Sequence, residues 1–388
     1  MRSDSSSLPL QHLVGPAMRA TEALVRLDER VARSPVGGGF AARAHFMDAA
    51  AAMWIEGELV HIEDLVLHDA RMDLRTPTHE LTRAHEILRV RRQIAASKPG
   101  WALSNDGLAA LWGRGATVAI RPEPQSQEVA SAEAEDAAEE DTDTRLDEEL
   151  AALDAAMARA KTLLDGVKVD RAKGRTRGEA AAETAPRRAR AGFAPEDKNP
   201  LVYDADWNEA DRLEEWKAAM AEVADLPPLL RAAVLHDAWD TIAPLQHAHW
   251  LGRLLVAACL RHAGTTGAHL AALNVGARLI PRDRRRARDR TARLIAFIDG
   301  VQETATAGLK DHDRLILAKT QMERRLKGRR STSKLPDVIE LVLSRPLVTS
   351  SIVEKELSVT AAGALNLIGE LDLREITGRG RYRAWGIV

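Results

Sequence analysis

Two short helical periods separated by a three-residue break, then a hairpin, constrain the end of this chain more tightly than any other part of it. Leu335 to Leu343 carries Val338, Ile339, Val342 and Leu343 along one side of a leading helix. Ser351 and Glu354 have the spacing of a capping box, which predicts a helix whose Ile352, Val353 and Leu357 face inward. Ser358-Val359-Thr360 makes the break, and Thr360 is placed to cap the next helix. There Ala361, Ala364, Leu365, Ile368 and Leu371 recur at three- and four-residue spacing, so one stripe faces a core. Ile376-Thr377, Gly378-Arg379-Gly380 and Tyr382-Arg383-Ala384-Trp385 read as strand, turn and strand. This order is that of a winged helix-turn-helix, a shape whose commonest use is to bind duplex DNA.

Arg379, Arg381 and Arg383 would meet phosphates or a minor groove from the hairpin tip. The outward positions of the last helix read as Ala362, Gly363, Asn366, Gly369 and Glu370, of which Asn366 suits adenine. Thr360, Asn366, Arg379, Arg381 and Arg383 are therefore the expected DNA-binding residues. Base-reading groups are sparse, so a module that packs on its own body or on a protein partner is the alternative.

The rest of the chain reads as helical. Its 388 residues suggest two or three domains, and abundant Ala, Arg and Leu beside only two tyrosines and four phenylalanines favour helix. A net charge of -2 gives no global field toward nucleic acid or membrane. Cys259 is the sole cysteine, which excludes an internal disulfide and a cysteine-based zinc site; in an apolar run it reads as a small buried hydrophobe. No signal peptide and no spanning apolar run is read, so a cytoplasmic protein with no membrane partner is expected.

Residues 1–121 form an N-terminal helical region. Leu13, Met18, Leu24 and Leu27 make its first stripe, and a helix from Thr78 to Ala95 keeps its arginines outside. Residues 122–199 turn acidic, then basic, and read as a charged flexible linker interrupted by one helix at Leu146 to Leu164. Residues 200–327 return to helical periodicity, with a basic run from Arg282 to Arg290 that reads as a solvated face or an extension of a DNA footprint. Residues 328–388 hold the winged helix-turn-helix.

The stretch Ala233-Val-Leu-His-Asp-Ala-Trp-Asp-Thr-Ile-Ala-Pro-Leu-Gln-His-Ala-His-Trp-Leu-Gly-Arg resembles the centre of Fic/Doc-fold proteins. Members carry a helix, a His-Pro-Phe-x-Asp/Glu-Gly-Asn-Gly-Arg loop and a second helix bearing another arginine. Many have an N-terminal Ser/Thr-x-x-x-Glu-Gly inhibitory helix, matched in part by Ala52-Met-Trp-Ile-Glu56-Gly57, and many end in a winged helix. The chain also resembles an uncharacterised proteobacterial group, known mainly from rhizobia, with a helix-turn-helix DNA-binding region. The resemblance implies a mainly α fold: a Fic-like helical bundle followed by a winged helix-turn-helix.

At the loop the likeness breaks. In active members the histidine is the base, an acidic residue holds magnesium, and glycines cradle phosphates. Ala243 stands at the histidine position, followed by Pro244, while Gln246-His247-Ala248-His249-Trp250 supplies no glycine and no carboxylate. Gly252 and Arg253 match the end of the motif. The expectation is no AMP transfer, no catalytic residue, no cofactor and no metal; His247 and His249 form too weak a pair for a metal site. The resemblance further implies a bidentate ion pair between Glu56 and Arg253, a structural clasp in a silent protein.

Three functions remain open at this point. The first is a DNA-binding transcriptional regulator whose partners are double-stranded DNA and a second copy in a symmetric dimer. The second is an enzyme with altered nucleotide-transfer chemistry in the Fic-like groove. The third is an antitoxin-like or scaffold protein that uses its winged helix for protein contacts.

Overall fold

The computed structural model describes residues 8–73, 76–117, 204, 207–326, 333–377 and 383–387. The expected linker of residues 122–199 and its helix lie outside the described residues. Four helices open the fold: α1 (Leu10–Ala32), α2 (Gly37–Glu56), α3 (Ile62–Asp69) and α4 (His79–Ala96), followed by a short 3-10 turn and α5 (Asn105–Thr117). The central segment supplies α6 (Glu209–Glu222), α7 (Pro228–Ile242), α8 (Leu251–His262), α9 (Leu273–Leu279), the one-turn α10 (Arg282–Arg285) and α11 (Arg290–Leu326).

Local chemistry sets many of the boundaries. The Thr78 hydroxyl caps α4 by accepting from the Leu81 amide, and the Asn208 side chain accepts from two amides at the start of α6. Pro228 opens α7, where its missing N–H costs nothing. Gly57, at φ 94°, ends α2 in the left-handed conformation that glycine takes without strain.

One apolar core runs through residues 13–111 and 213–305, so the N-terminal and central helices share it. At its heart α8 is buried on every side from Leu254 to Leu260, as a helix apolar all round must be. Trp216 and Trp239 meet edge to face there at 5.3 Å, and the Trp216 indole donates to the Leu235 carbonyl. Gly252 allows this, because a Cβ on it would lie 2.3 Å from the Trp239 ring. Cys259 is buried as expected, and burial pushes its thiol up to about 12, which leaves it unreactive. Met18, in contrast to its expected place in the α1 stripe, is 67% exposed; Ala17 and Ala20 take the inward positions.

A polar clasp crosses this core. Asp48 on α2 and Arg91 on α4 are both 0% exposed and pair at 2.5 Å. The Asp48 carboxylate also accepts from the amides of Asn274 and Val275 and from the Asn274 side chain, so it caps α9. Arg91 donates in addition to the carbonyls of Leu270 and Ala271. Arg91 corrects the expectation that the α4 arginines point outward. A buried guanidinium is tolerated because a carboxylate and two carbonyls answer it.

The C-terminal module comprises α12 (Leu335–Ser344), β1 (Val348–Thr349), α13 (Ser350–Leu357), α14 (Ala361–Leu371), β2 (Arg374–Glu375) and β3 (Ala384–Gly386). Its three strands run antiparallel in the order β1-β3-β2, with Val348 opposite Trp385 and Glu375 opposite Trp385 on the other side. Thr349, not Ser351, caps α13, because the chain leaves β1 extended and its hydroxyl reaches the Ile352 amide at 3.2 Å. A second core joins this module to the body: Val338, Val342, Ile368 and Trp385 pack with Leu27, Phe40, Leu315 and Met322.

Candidate nucleic-acid interface and central cavity

The second helix of the helix-turn-helix is α14. Thr360 is exposed, and its hydroxyl accepts from the Gly363 amide at 3.1 Å, the capping role read from the sequence. Ala364, Ile368 and Leu371 point into the core, while Ala361, Ala362, Leu365, Asn366 and Gly369 are exposed. Leu365 and Ala361 correct the expected inward stripe: Leu365 is 46% exposed and Ala361 is exposed, so only Ala364, Ile368 and Leu371 of that stripe are buried. Glu370 is the helix's one charged residue, so α14 offers no cation of its own.

Electrostatics in the module is close to balanced, with six arginines and lysines against seven carboxylates over residues 335–388. Arg383 pairs with Glu375 at 2.6 Å and lies over the Trp385 ring, which positions it on the hairpin. Arg345 is taken by Glu356 at 2.6 Å, and Lys355 donates to the Ala70 carbonyl of the body. The expected contacts Arg379 and Arg381 lie outside the described residues.

The body holds this module firmly. Arg43 on α2 is buried and donates to the carbonyls of Arg345 and Ile387, tying both ends of the module at 2.7 and 3.0 Å. Gly39 lies so near α12 that a Cβ there would stand 3.0 Å from the Leu343 side chain. Lys319–Glu340 and Arg325–Asp372, at 2.6 and 2.7 Å, fasten α11 to the module from another side.

A second feature lies between α2, α4, α7, α9 and α11: a cavity of about 740 Å3. Glu56 and Arg253 both line it, but the expected clasp between them does not form. Glu56 pairs with Arg83 instead, and Arg83 also holds Glu58 at 2.9 Å. The reason is geometric, since α4 presents Arg83 directly to the end of α2 where both glutamates stand. Asp237 is buried and takes Arg290 and Arg293 at 3.1 and 2.6 Å. His236 pairs loosely with Asp240 at 3.8 Å; burial holds its imidazole below the ordinary range, opposed by Asp240 and reinforced by Arg253. Arg83 and Arg293 were not singled out from the sequence, and Asp237 was read there only as a packing or surface group. Arg285 was visible there only as part of the basic run.

The loop that departs from the Fic pattern forms one edge of this region. Ala243 ends α7 at φ 46°, and Pro244, Leu245, Ala248 and Trp250 turn inward and are buried. Its backbone is tied down by α6: Glu209 accepts from the Gln246 amide, and Arg212 donates to the Ile242 carbonyl at 2.5 Å. His247 and His249 are exposed, and His249 reaches the cavity wall. Among the described residues no three His, Cys, Asp or Glu side chains gather as metal ligands would.

Comparison with known proteins matches two segments of the chain. Residues 201–327 match the family described as Protein of unknown function (DUF1612), and residues 335–388 match the HTH DNA binding domain. No described helix is long and apolar enough to cross a membrane. The Uncharacterized protein y4cF of Sinorhizobium fredii is 47% identical over 399 aligned positions, covering 100% of both chains. Matched end to end at that identity, the chain belongs to the same family as y4cF, with a DUF1612 segment in its centre and an HTH DNA binding domain at its C-terminal end.

Proposed function

We propose that this protein is a transcriptional regulator that grips duplex DNA through α14 and the β2–β3 hairpin, while the helical body presents them. The observation that carries this reading is the capped, outward-facing α14 inside the segment matched to the HTH DNA binding domain. Asn366 reads a base edge, and Arg379, Arg381 and Arg383 meet phosphates. Two copies on a palindrome would set their α14 helices about 34 Å apart, one turn of B-DNA. Fluorescence anisotropy with a labelled random duplex between 50 and 200 mM salt tests this. Three phosphate contacts predict a log–log slope of about -3 per protomer, flattened when the three arginines become alanine. No binding at any salt would favour the scaffold reading instead.

The body fits a catalytically silent Fic-like bundle. Buried Leu245, Ala248 and Trp250 occupy the loop that would have to open its backbone amides to phosphates, and no base stands at position 243. The opposing enzymatic reading draws on one observation, that His249 borders the cavity. Incubation with nucleotides labelled on the α-phosphate, alone and with cell extract, should leave every protein unlabelled. Transfer of label that disappears in His249→Ala would overturn the silent reading.

A further inference from the structure

We propose that the central cavity is a binding site for a small anionic effector, a molecule with a phosphate or carboxylate head on an apolar body, seated at Arg253 and Arg285. Its regulatory half rests on the DNA-binding reading above. The first observation is a local charge imbalance. Arg83 is answered by Glu56 and Glu58, and Arg293 by Asp237. Among the described residues, Arg253 and Arg285 have no carboxylate within the 4.0 Å of an ion pair. The Arg253 Nε is buried and lacks a hydrogen-bond partner, and Arg285 uses only its Nε, on the Ile280 carbonyl.

The two guanidinium groups also oppose each other. Burial, and then the charge of Arg253, pull Arg285 below its ordinary range. Both groups are half-buried, and Asp240 opposes that repulsion from a distance without pairing with either of them, so a ligand oxyanion placed between the two would relieve it. Guanidinium forks match a carboxylate or phosphate bidentately. The lining also includes Ile55, Leu273, Phe297 and Val301, which suits an apolar body. The volume of about 740 Å3 lies within the usual span of small-molecule sites.

The second observation is where α11 leads. Its Phe297, Gly300 and Val301 line the cavity, while Leu315 and Met322 stand in the core of the winged helix. The two places are about 20 Å apart along one continuous helix. A ligand that favours one setting of α11 therefore biases the module fastened to it through Arg325–Asp372.

Thermal unfolding with phenyl phosphate, phenylacetate and uncharged 2-phenylethanol tests the site. A saturable rise in Tm is expected with at least one anion and none with the alcohol. The rise should vanish in Arg253→Gln/Arg285→Gln. Arg253→Gln alone gives up no hydrogen bond among the described residues, and it serves if the double variant does not fold. Equal rises in the variants, a rise with the alcohol, or no rise at all would overturn the site. Anisotropy with labelled duplex at constant ionic strength then reads the coupling, where a change of about five-fold or more is expected in the wild type. Anion binding that leaves duplex affinity unchanged would overturn the effector role. Anion binding in a protein that never binds duplex would sink the DNA reading and the effector role together, while the site itself stands.

Discussion

Arg91 and Arg253 are both arginines drawn into the helical body, and their surroundings differ in kind. Arg91 uses its two terminal nitrogens on a carboxylate and two carbonyls where α2, α4 and α9 meet, its Nε is left over, and no part of it is exposed. Arg253 faces a cavity beside a second arginine and, among the described residues, has no carboxylate at ion-pair distance. A cation met by a carboxylate of its own holds helices together; one with no ion-pair partner leaves binding capacity for something that arrives from outside. The winged helix makes a third case, since Arg43 is also buried yet met by carbonyls alone, and those belong to the module it secures.

The largest expected effect is on the Arg91 site. Asp48→Ala strands the Arg91 charge and uncaps α9, and should cost about 3–5 kcal/mol in stability, read as a large drop in the denaturation midpoint. A drop no bigger than that of an ordinary surface substitution would erase the contrast with Arg253.

A smaller effect comes from pH. His45 lies beside the same clasp, where burial and then the charges of Arg91 and Arg92 lower it to about 3. Between pH 6.5 and 3 the unfolded chain takes up the proton while the folded one refuses it, so stability falls as pH falls. The slope is on the order of 1 kcal/mol per pH unit. His45→Phe should flatten denaturation midpoints measured across that window, and an unchanged slope would count against a neutral buried imidazole. Smallest of all is Arg253→Gln without ligand. Removing an unanswered cation should leave the midpoint level or raise it, whereas a clear loss would mean that Arg253 has a partner after all.

Much of the C-terminal module was legible because its determinants are local. Thr360 and its amide partner are three residues apart, and the apolar repeat of α14 needs no knowledge of the body. The cap of α13 was misread at Ser351 because the short strand before it moves the helix start onto Thr349. Leu365 and Met18 were misread for another reason, since periodicity names a stripe but not which of its edges meets a neighbour. The pair Glu56–Arg253 failed because it was carried over from a resemblance; Arg83, on another helix, stands closer to Glu56.

The sequence by itself determined the helical content and the helix-turn-helix with its Thr360 cap. These depend on residue types and on spacings within a few turns. Only the tertiary structure decided that Asp48 answers Arg91, that Arg253 and Arg285 share one cavity, and that Arg43 binds the module to the body. Those partners lie tens to hundreds of positions apart, and electrostatic pairing at such separations is set by which helix faces pack together, a choice made by the whole core at once.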